Sequence, residues 1–469
     1  MRAVEMKNVT FGYTENVNVL HGVDFGAEYG EIALLSGMSG EGKSTLLSII
    51  CGIIPNSIQG HMSGETYVAG RNVRGMKMSD LSRVVGCVLQ NAELQIIQQS
   101  VSDEVAFGCE NLAMPPEMIE RRVSFACKMM EIDPDWRTRT LSGGQKQRLI
   151  TAATLAMGQK IIILDEPLAN LDKKGTHTLM SALGKLARKG YCVIVSEHRL
   201  DMALPYVDSV WHISKGRVDK VADKAAYLRS KAGSVKDICT AQPSRDLLFR
   251  ATDVTKSFRG RDILRGVDMD VRRGERVLAL GENGCGKTTF TRILARLLRP
   301  DGGSVEQFIS PSLGRKRAGR EWFRRVGVVY QNPNYQLFMP TVRQEVAFGA
   351  ESQAYADEIM DMFGITHLAA RHPQSLSEGQ KRRVSIAAVA ATRPEVLILD
   401  EPTVGQDYEG LQRIADVLNT LHMKDGNTMI TITHDVRCAP ALCDRSYIIA
   451  DGVVAESGGK ALAESYFGR

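Results

Sequence analysis

Long apolar runs are missing from this chain of 469 residues: no stretch approaches the roughly 20 uninterrupted apolar residues that cross a bilayer. The opening segment Met1-Arg2-Ala3-Val4-Glu5 also lacks the apolar core of a signal peptide, so the expected compartment is the cytoplasm. Paired cysteines are missing too. Nine Cys lie at scattered positions with no C-x-x-C among them, which points to reduced thiols and gives no indication of zinc. Nor is there a long Lys/Arg tract behind the net charge of +5. The densest basic stretch, Arg315-Lys316-Arg317 with Arg320 and Arg324-Arg325, reads as a solvated face rather than a patch for phosphate or an acidic membrane surface. Only 15 Pro, with 43% hydrophobic and 24% charged residues, exclude disorder and describe a globular chain with an ample core.

What the chain does contain is a phosphate-binding loop, twice. Gly37-Met38-Ser39-Gly40-Glu41-Gly42-Lys43-Ser44 and Gly281-Glu282-Asn283-Gly284-Cys285-Gly286-Lys287-Thr288 both fit G-x-x-x-x-G-K-[ST]. In this pattern Gly37, Gly40 and Gly42, or Gly281, Gly284 and Gly286, let backbone N–H groups wrap a polyphosphate. Lys43 or Lys287 meets the outer oxygens, and the hydroxyl of Ser44 or Thr288 holds Mg²⁺. Thr45 and Thr289 follow at the start of the helix. Each loop comes after an apolar run and before a helix-like stretch, the context that the motif requires.

Everything else of chemical interest is also present in duplicate. Leu141-Ser142-Gly143-Gly144-Gln145 answers to Leu376-Ser377-Glu378-Gly379-Gln380, and Ile162-Ile163-Leu164-Asp165-Glu166-Pro167 answers to Leu397-Ile398-Leu399-Asp400-Glu401-Pro402. Length alone suggests about three domains, but the repeat predicts two, over 1–232 and 247–469, with a short linker at 233–246. Strand-like and helical segments alternate in each half. The fold class is therefore α/β, a mainly parallel sheet flanked by helices, with a β-rich start at 4–25 and 248–271 and a helical insertion around 102–140 and 340–375.

An apolar strand that ends in Asp165 or Asp400 delivers a carboxylate beside the phosphate loop, where it organises Mg²⁺ through water; the next residue, Glu166 or Glu401, is placed to polarise an attacking water. The helix that opens at Ser142, Gly144 and Gln145, or at Ser377, Gly379 and Gln380, offers amides and a hydroxyl to the far side of a triphosphate.

With both loops, both acidic pairs and both signature sequences in the same order, the chain resembles the ATP-binding cassette ATPases along nearly its whole length. The resemblance implies that the halves sandwich two ATP molecules head to tail, each between one half's phosphate loop and the other half's signature. It places Gln90 and Gln331, as ligands of the nucleotide and its Mg²⁺, in the loop that couples nucleotide to a partner, and His198 and His434 as switch histidines at the γ-phosphate. By the same resemblance Tyr13 and Phe258 stack on adenine, and Asp172 and Asp407 lie in the loop that crosses the interface. Two departures stand out. Glu378 replaces the first signature glycine, and Cys285 lies inside the second phosphate loop, where Lys287 and a helix N-terminus favour thiolate.

The segments from Gln90 to Gln95 and from Gln331 to Phe338, with their continuations Ser100–Gly108 and Thr341–Gly349, are similar to those of the ATPases of energy-coupling-factor importers for vitamins and metal ions. That likeness implies an ATPase at the cytoplasmic face of the membrane. Its expected partners are an integral-membrane coupling subunit and a small substrate-binding membrane subunit, with no nucleic acid. Two other readings are a twin-cassette ATPase of a sugar importer and a soluble ribosome-associated twin-cassette ATPase. Against the latter, the inter-domain segment is too short for that class's long charged helical linker, and both switch histidines are present.

Overall fold

The computed structural model describes residues 2–468 apart from 16, 39, 170, 232–234, 242 and 310–318. Ser39 of the first phosphate loop, part of the expected linker and the Arg315-Lys316-Arg317 stretch lie outside the described residues. The chain divides into two units, Met1–Ala232 and Gly233–Arg469.

Among the described residues the first unit carries a six-stranded sheet in the order Arg217–Lys220, Ser209–Ser214, Ile32–Ser36, Cys192–Ser196, Ile161–Asp165, Val85–Val88. All neighbours are parallel except the edge hairpin of Arg217–Lys220 with Ser209–Ser214. The second unit repeats this order with Val453–Gly459, Arg445–Ala450, Arg276–Leu280, Thr428–Ile432, Val396–Asp400 and Val326–Val329. Central strands such as Ile32–Ser36, Arg276–Leu280 and Thr428–Ile432 are buried at every residue. In the first unit one face of the sheet packs on helices and the other on Lys43–Ile50 and the antiparallel strands of the β-rich start, and strands buried on both faces read as short continuous apolar runs. The β-rich start of each half forms a separate antiparallel sheet, built on Arg2–Thr14 with Val17–Glu28 and on Leu247–Phe258 with Arg261–Arg272.

Strand order decides what meets at the sheet's edge. In the first unit Ile32–Ser36, Cys192–Ser196, Ile161–Asp165 and Val85–Val88 are successive neighbours, so their carboxyl ends present the phosphate loop, His198, the Asp165–Glu166 pair and Gln90 side by side. The carboxyl edge of a parallel sheet is where ligands bind in open α/β folds. The helical insertions occur as Val101–Asn111 and Pro116–Met129, and as Val342–Ala347 and Gln353–Met362. Each half's signature opens its own helix, Gly143–Ala156 or Glu378–Ala390.

Residues 235–241 are packed onto the second unit. Val235 is buried in its core, and Val235 N–H donates to Arg437 O at 2.8 Å. Asp237 pairs with Arg276 at 2.9 Å and with Lys460 at 3.2 Å. Arg276 is itself buried and also meets Asp444 at 2.6 Å. Its guanidinium is thus compensated by two carboxylates, the condition under which a buried charge is tolerated.

Candidate functional site

Each phosphate loop bends through the left-handed region, with φ of +85° at Gly40 and +104° at Gly42, and +85° at Gly284 and +108° at Gly286. A Cβ on Gly42 would sit 2.8 Å from Leu20 Cδ2, and one on Gly286 would sit 2.5 Å from Leu264 Cδ2. Glycine is therefore required there on both conformational and steric grounds. The helices that follow, Lys43–Ile50 and Lys287–Leu294, have no side-chain cap and no acidic residue in the first turn. Their first amides and the positive end of the dipole suit an anion. Lys43 Nζ donates to Gly37 O at 2.8 Å and Met38 O at 2.9 Å; Lys287 Nζ donates to Gly281 O at 2.7 Å and Glu282 O at 2.8 Å.

The loop hydroxyl and the strand-end aspartate meet in both units. Ser44 Oγ donates to Asp165 Oδ2 at 2.9 Å, and Thr288 Oγ1 donates to Asp400 Oδ2 at 3.0 Å. A hydroxyl beside a carboxylate is an all-oxygen donor set that fits Mg²⁺, which is commonly held by one or two carboxylates together with substrate phosphates. Burial pushes the Asp165 carboxyl above its ordinary range, with Glu166 adding to the shift, and Ser196 and Ser44 opposing it by hydrogen bonds. Asp400 is raised by burial and opposed first by the Thr288 hydrogen bond. A divalent cation at either place would favour the ionised form.

The glutamates that follow have positive φ, +49° at Glu166 and +52° at Glu401, where residues other than glycine are uncommon. Backbone bonds hold that turn, from Glu166 N–H to Ser196 O at 3.0 Å and from Glu401 N–H to Ile432 O at 2.9 Å. Strain of this kind is concentrated at functional sites. In the first unit Glu166 is gripped from two sides: His198 Nε2 lies 2.5 Å from its Oε1, and Gln90 Nε2 donates to its Oε2 at 2.6 Å. His198 Nδ1 in turn faces Gly37 O at 3.0 Å. The second unit is looser, with His434 Nε2 at 3.3 Å from Glu401 Oε1. The arrangement can hold a proton between glutamate and histidine and orient a small polar molecule beside the loop.

Other expected residues are arranged as follows. Tyr13 and Phe258 are exposed, as a base-stacking ring must be, and the Tyr13 hydroxyl lies 2.9 Å from Thr45 Oγ1. Ser142 and Ser377 are exposed at the starts of their helices, each in a capping box with Gln145 or Gln380. Each hydroxyl oxygen accepts an amide N–H and keeps its own proton for donation. Asp172 and Asp407 cap helices, accepting from Gly175 N–H at 2.7 Å and Gly410 N–H at 2.8 Å. Gln331 is exposed, and Thr289 is partly buried.

Three residues near the site carry no sequence-based expectation. Glu197 is buried beside His198 and accepts from Leu168 N–H at 2.7 Å; burial, then Glu166, pushes its carboxyl upward. Its counterpart in the repeat is Thr433, which bonds Thr403 at 3.0 Å. Arg292 and Arg382 both lend positive charge to Asp400.

Cys285 is partly exposed, with its Sγ 3.8 Å from Lys287 Nζ. A maleimide should therefore label it and inactivate the Lys287 site by occluding the loop, MgATP should protect, and Cys285→Ser should stay active and insensitive. Equal labelling rates with and without saturating nucleotide, or inhibition that persists in Cys285→Ser, would shift the effect to another cysteine.

The sequence profile of the ABC transporter family matches residues 20–169 and 264–404. A Methanosarcina mazei chain provisionally named an ABC transporter ATP-binding protein is 32% identical over 484 residues, covering 99% of this chain and 96% of that one. A Bacillus subtilis chain provisionally named the HMP/thiamine import ATP-binding protein YkoD is 30% identical, over 97% of this chain and 91% of its own length. Among solved structures, a model of ribosome-bound archaeal Pelota and ABCE1 shares the fold at 21% identity, with a TM-score of 0.70 over 96% of this chain and 78% of that one. Two profile matches, one over each phosphate loop and acidic pair, show that this chain belongs to the ABC transporter family as a two-cassette ATPase.

Proposed function

We propose that the chain is the ATP-hydrolysing subunit of an importer of the energy-coupling-factor type that takes up a vitamin or a metal ion. It works at the cytoplasmic face of the membrane, and its cassettes, 1–232 and 247–469, pair within one chain. The observation that carries this reading lies just beyond the two coupling glutamines. Leu94 and Ile97 after Gln90 are 79% and 67% exposed, and Tyr335 and Phe338 after Gln331 are 72% and 65% exposed. Large apolar side chains at matching places suit a surface that docks on another protein. Among the described residues no helix is long and apolar enough to cross a membrane, and in this reading the membrane partners are separate subunits. An integral coupling subunit and a small substrate-binding subunit fit that requirement, and the provisional import name of the B. subtilis relative agrees with it.

In this reading Gly37, Gly40, Gly42, Lys43 and the amides after them hold the triphosphate of ATP, and Gly281, Gly284, Gly286 and Lys287 do so in the second cassette. Ser44 with Asp165, and Thr288 with Asp400, would hold Mg²⁺, which neutralises charge on the phosphates. Glu166, oriented by His198 and Gln90, accepts a proton from the attacking water; Glu401 and His434 do the same at the other centre. Co-purification from detergent-solubilised membranes tests the assignment. Recovery of an integral subunit together with a small membrane protein is expected. Recovery with ribosomes, or with a sugar importer's permease pair, would overturn it.

A further inference from the structure

The two cassettes tie their coupling loops to their signature helices in different ways. In the first, Lys146 Nζ reaches Glu93 Oε1 at 2.6 Å, an ion pair whose carboxylate side chain is 49% exposed. The next residue, Gln147, is buried, and its Nε2 has no hydrogen-bond partner among the described residues. Gln95 Nε2 turns back to Cys87 O on the strand before its own loop, at 3.3 Å.

In the second cassette, Asn334 stands where Glu93 does, and Lys381 Nζ donates to Asn334 Oδ1 at 3.1 Å. The missing carboxylate comes from Glu378, 3.2 Å from Lys381 Nζ. The unusual signature residue is thus answered by a lysine on its own helix. Arg382 replaces Gln147; it is 4% exposed and donates from Nη1 to Tyr330 O at 2.8 Å and from Nη2 to Gln331 O. Gln336 Nε2 lies 3.5 Å from Ser385 O on the same helix.

We propose that Arg382 is a positioning residue for hydrolysis at the Glu401 centre. Through the carbonyls of Tyr330 and Gln331 it fastens the coupling loop to the signature helix, so that the two move together in the second cassette. Three observations support this role. Burying a guanidinium carries a desolvation cost, and Arg382 has no ion-pair partner and no partner for its Nε among the described residues, so the two loop carbonyls that Nη1 and Nη2 reach are what compensates it. Burial lowers its pKa to about 10, while Glu401, Glu378 and Asp400 favour its charge. The first cassette builds the same helix and loop with glutamine at this place, so folding alone does not require arginine.

Arg382→Gln, the residue that the first cassette uses, tests the proposal in the Glu166→Gln chain, whose remaining turnover reports the Glu401 centre. A kcat lower by about tenfold or more is expected, since small misplacements near the chemistry are costly, with KM for ATP and Tm unchanged. Amide exchange should quicken in 331–338 and stay the same in the Gln90 loop. Arg382→Lys should recover part of the rate, because it keeps the charge and a donor. An unchanged kcat and unchanged loop exchange, or a Tm loss that Arg382→Lys does not reverse, would overturn the proposal. So would failure of Arg382→Gln to fold.

Discussion

Glu166→Gln and Glu401→Gln in one chain should lower ATP hydrolysis by about 10²–10⁴-fold, the usual contribution of a positioned acid–base group, while ATP binding persists. The change removes only the carboxylate that takes a proton, because the phosphate loops, Lys43, Lys287 and the Ser44–Asp165 and Thr288–Asp400 pairs stand on other residues. Glutamine can still accept at its carbonyl oxygen from His198 Nε2, while its amide group replaces the oxygen that accepts from Gln90 Nε2, so Gln90 must turn its own amide oxygen toward it. The Glu166 substitution perturbs the more tightly held centre, where the histidine contact is 2.5 Å rather than 3.3 Å. Steady-state turnover beside nucleotide binding measures both halves of the expectation. A double variant that turns over ATP at the parental rate would remove the two glutamates from the chemistry.

The second large effect concerns how the sites are shared. If each ATP lies between one cassette's loop and the other's signature, Lys43→Ala and Ser377→Arg damage the same site. Their combination should then cost little beyond the worse single change, whereas Lys43→Ala with Ser142→Arg should disable both sites and reduce turnover to background. The exposed serines make fairer probes than the signature glycines. A Cβ on Gly379 would lie 2.8 Å from Gly405 O, and one on Gly144 would lie 2.6 Å from Leu171 Cδ2, so glycine variants would collide inside their own cassette. Both serines occupy the same capping position, and the loss of the cap, about 1 kcal/mol, falls equally on the two combinations. Multiplying losses for Lys43→Ala with Ser377→Arg, and none for Lys43→Ala with Ser142→Arg, would contradict the head-to-tail arrangement.

The phosphate loops and the aspartates that meet Ser44 and Thr288 follow apolar runs, and their positions at strand ends were legible from that pattern. The α/β class was legible for the same reason. The histidines that meet Glu166 and Glu401 came only from the resemblance, since the strand before His434 is followed by Thr433 rather than by glycine or acid. Backbone conformation was not legible: nothing in Asp-Glu-Pro reveals that Glu166 and Glu401 adopt positive φ. Long-range polar packing was also hidden. Asp237 falls in a polar tract that reads as linker, yet it pairs with Arg276 across 39 residues of sequence. Glu378 was visible as a departure from its counterpart, but Lys381 on the next helical turn, which answers its charge, was not connected to it. Arg382 against Gln147 was equally visible when the halves are laid together. Its meaning needed the carbonyls of Tyr330 and Gln331, which belong to another element.

Two complete ATP sites in a single chain are the account's central claim, and the stoichiometry of MgATP bound to the Glu166→Gln/Glu401→Gln chain tests it most directly. Equilibrium titration should saturate at two ATP per chain, falling to one when Lys43→Ala or Lys287→Ala is added. Saturation at one ATP, with one of the two lysine changes leaving it unaltered, would contradict the claim.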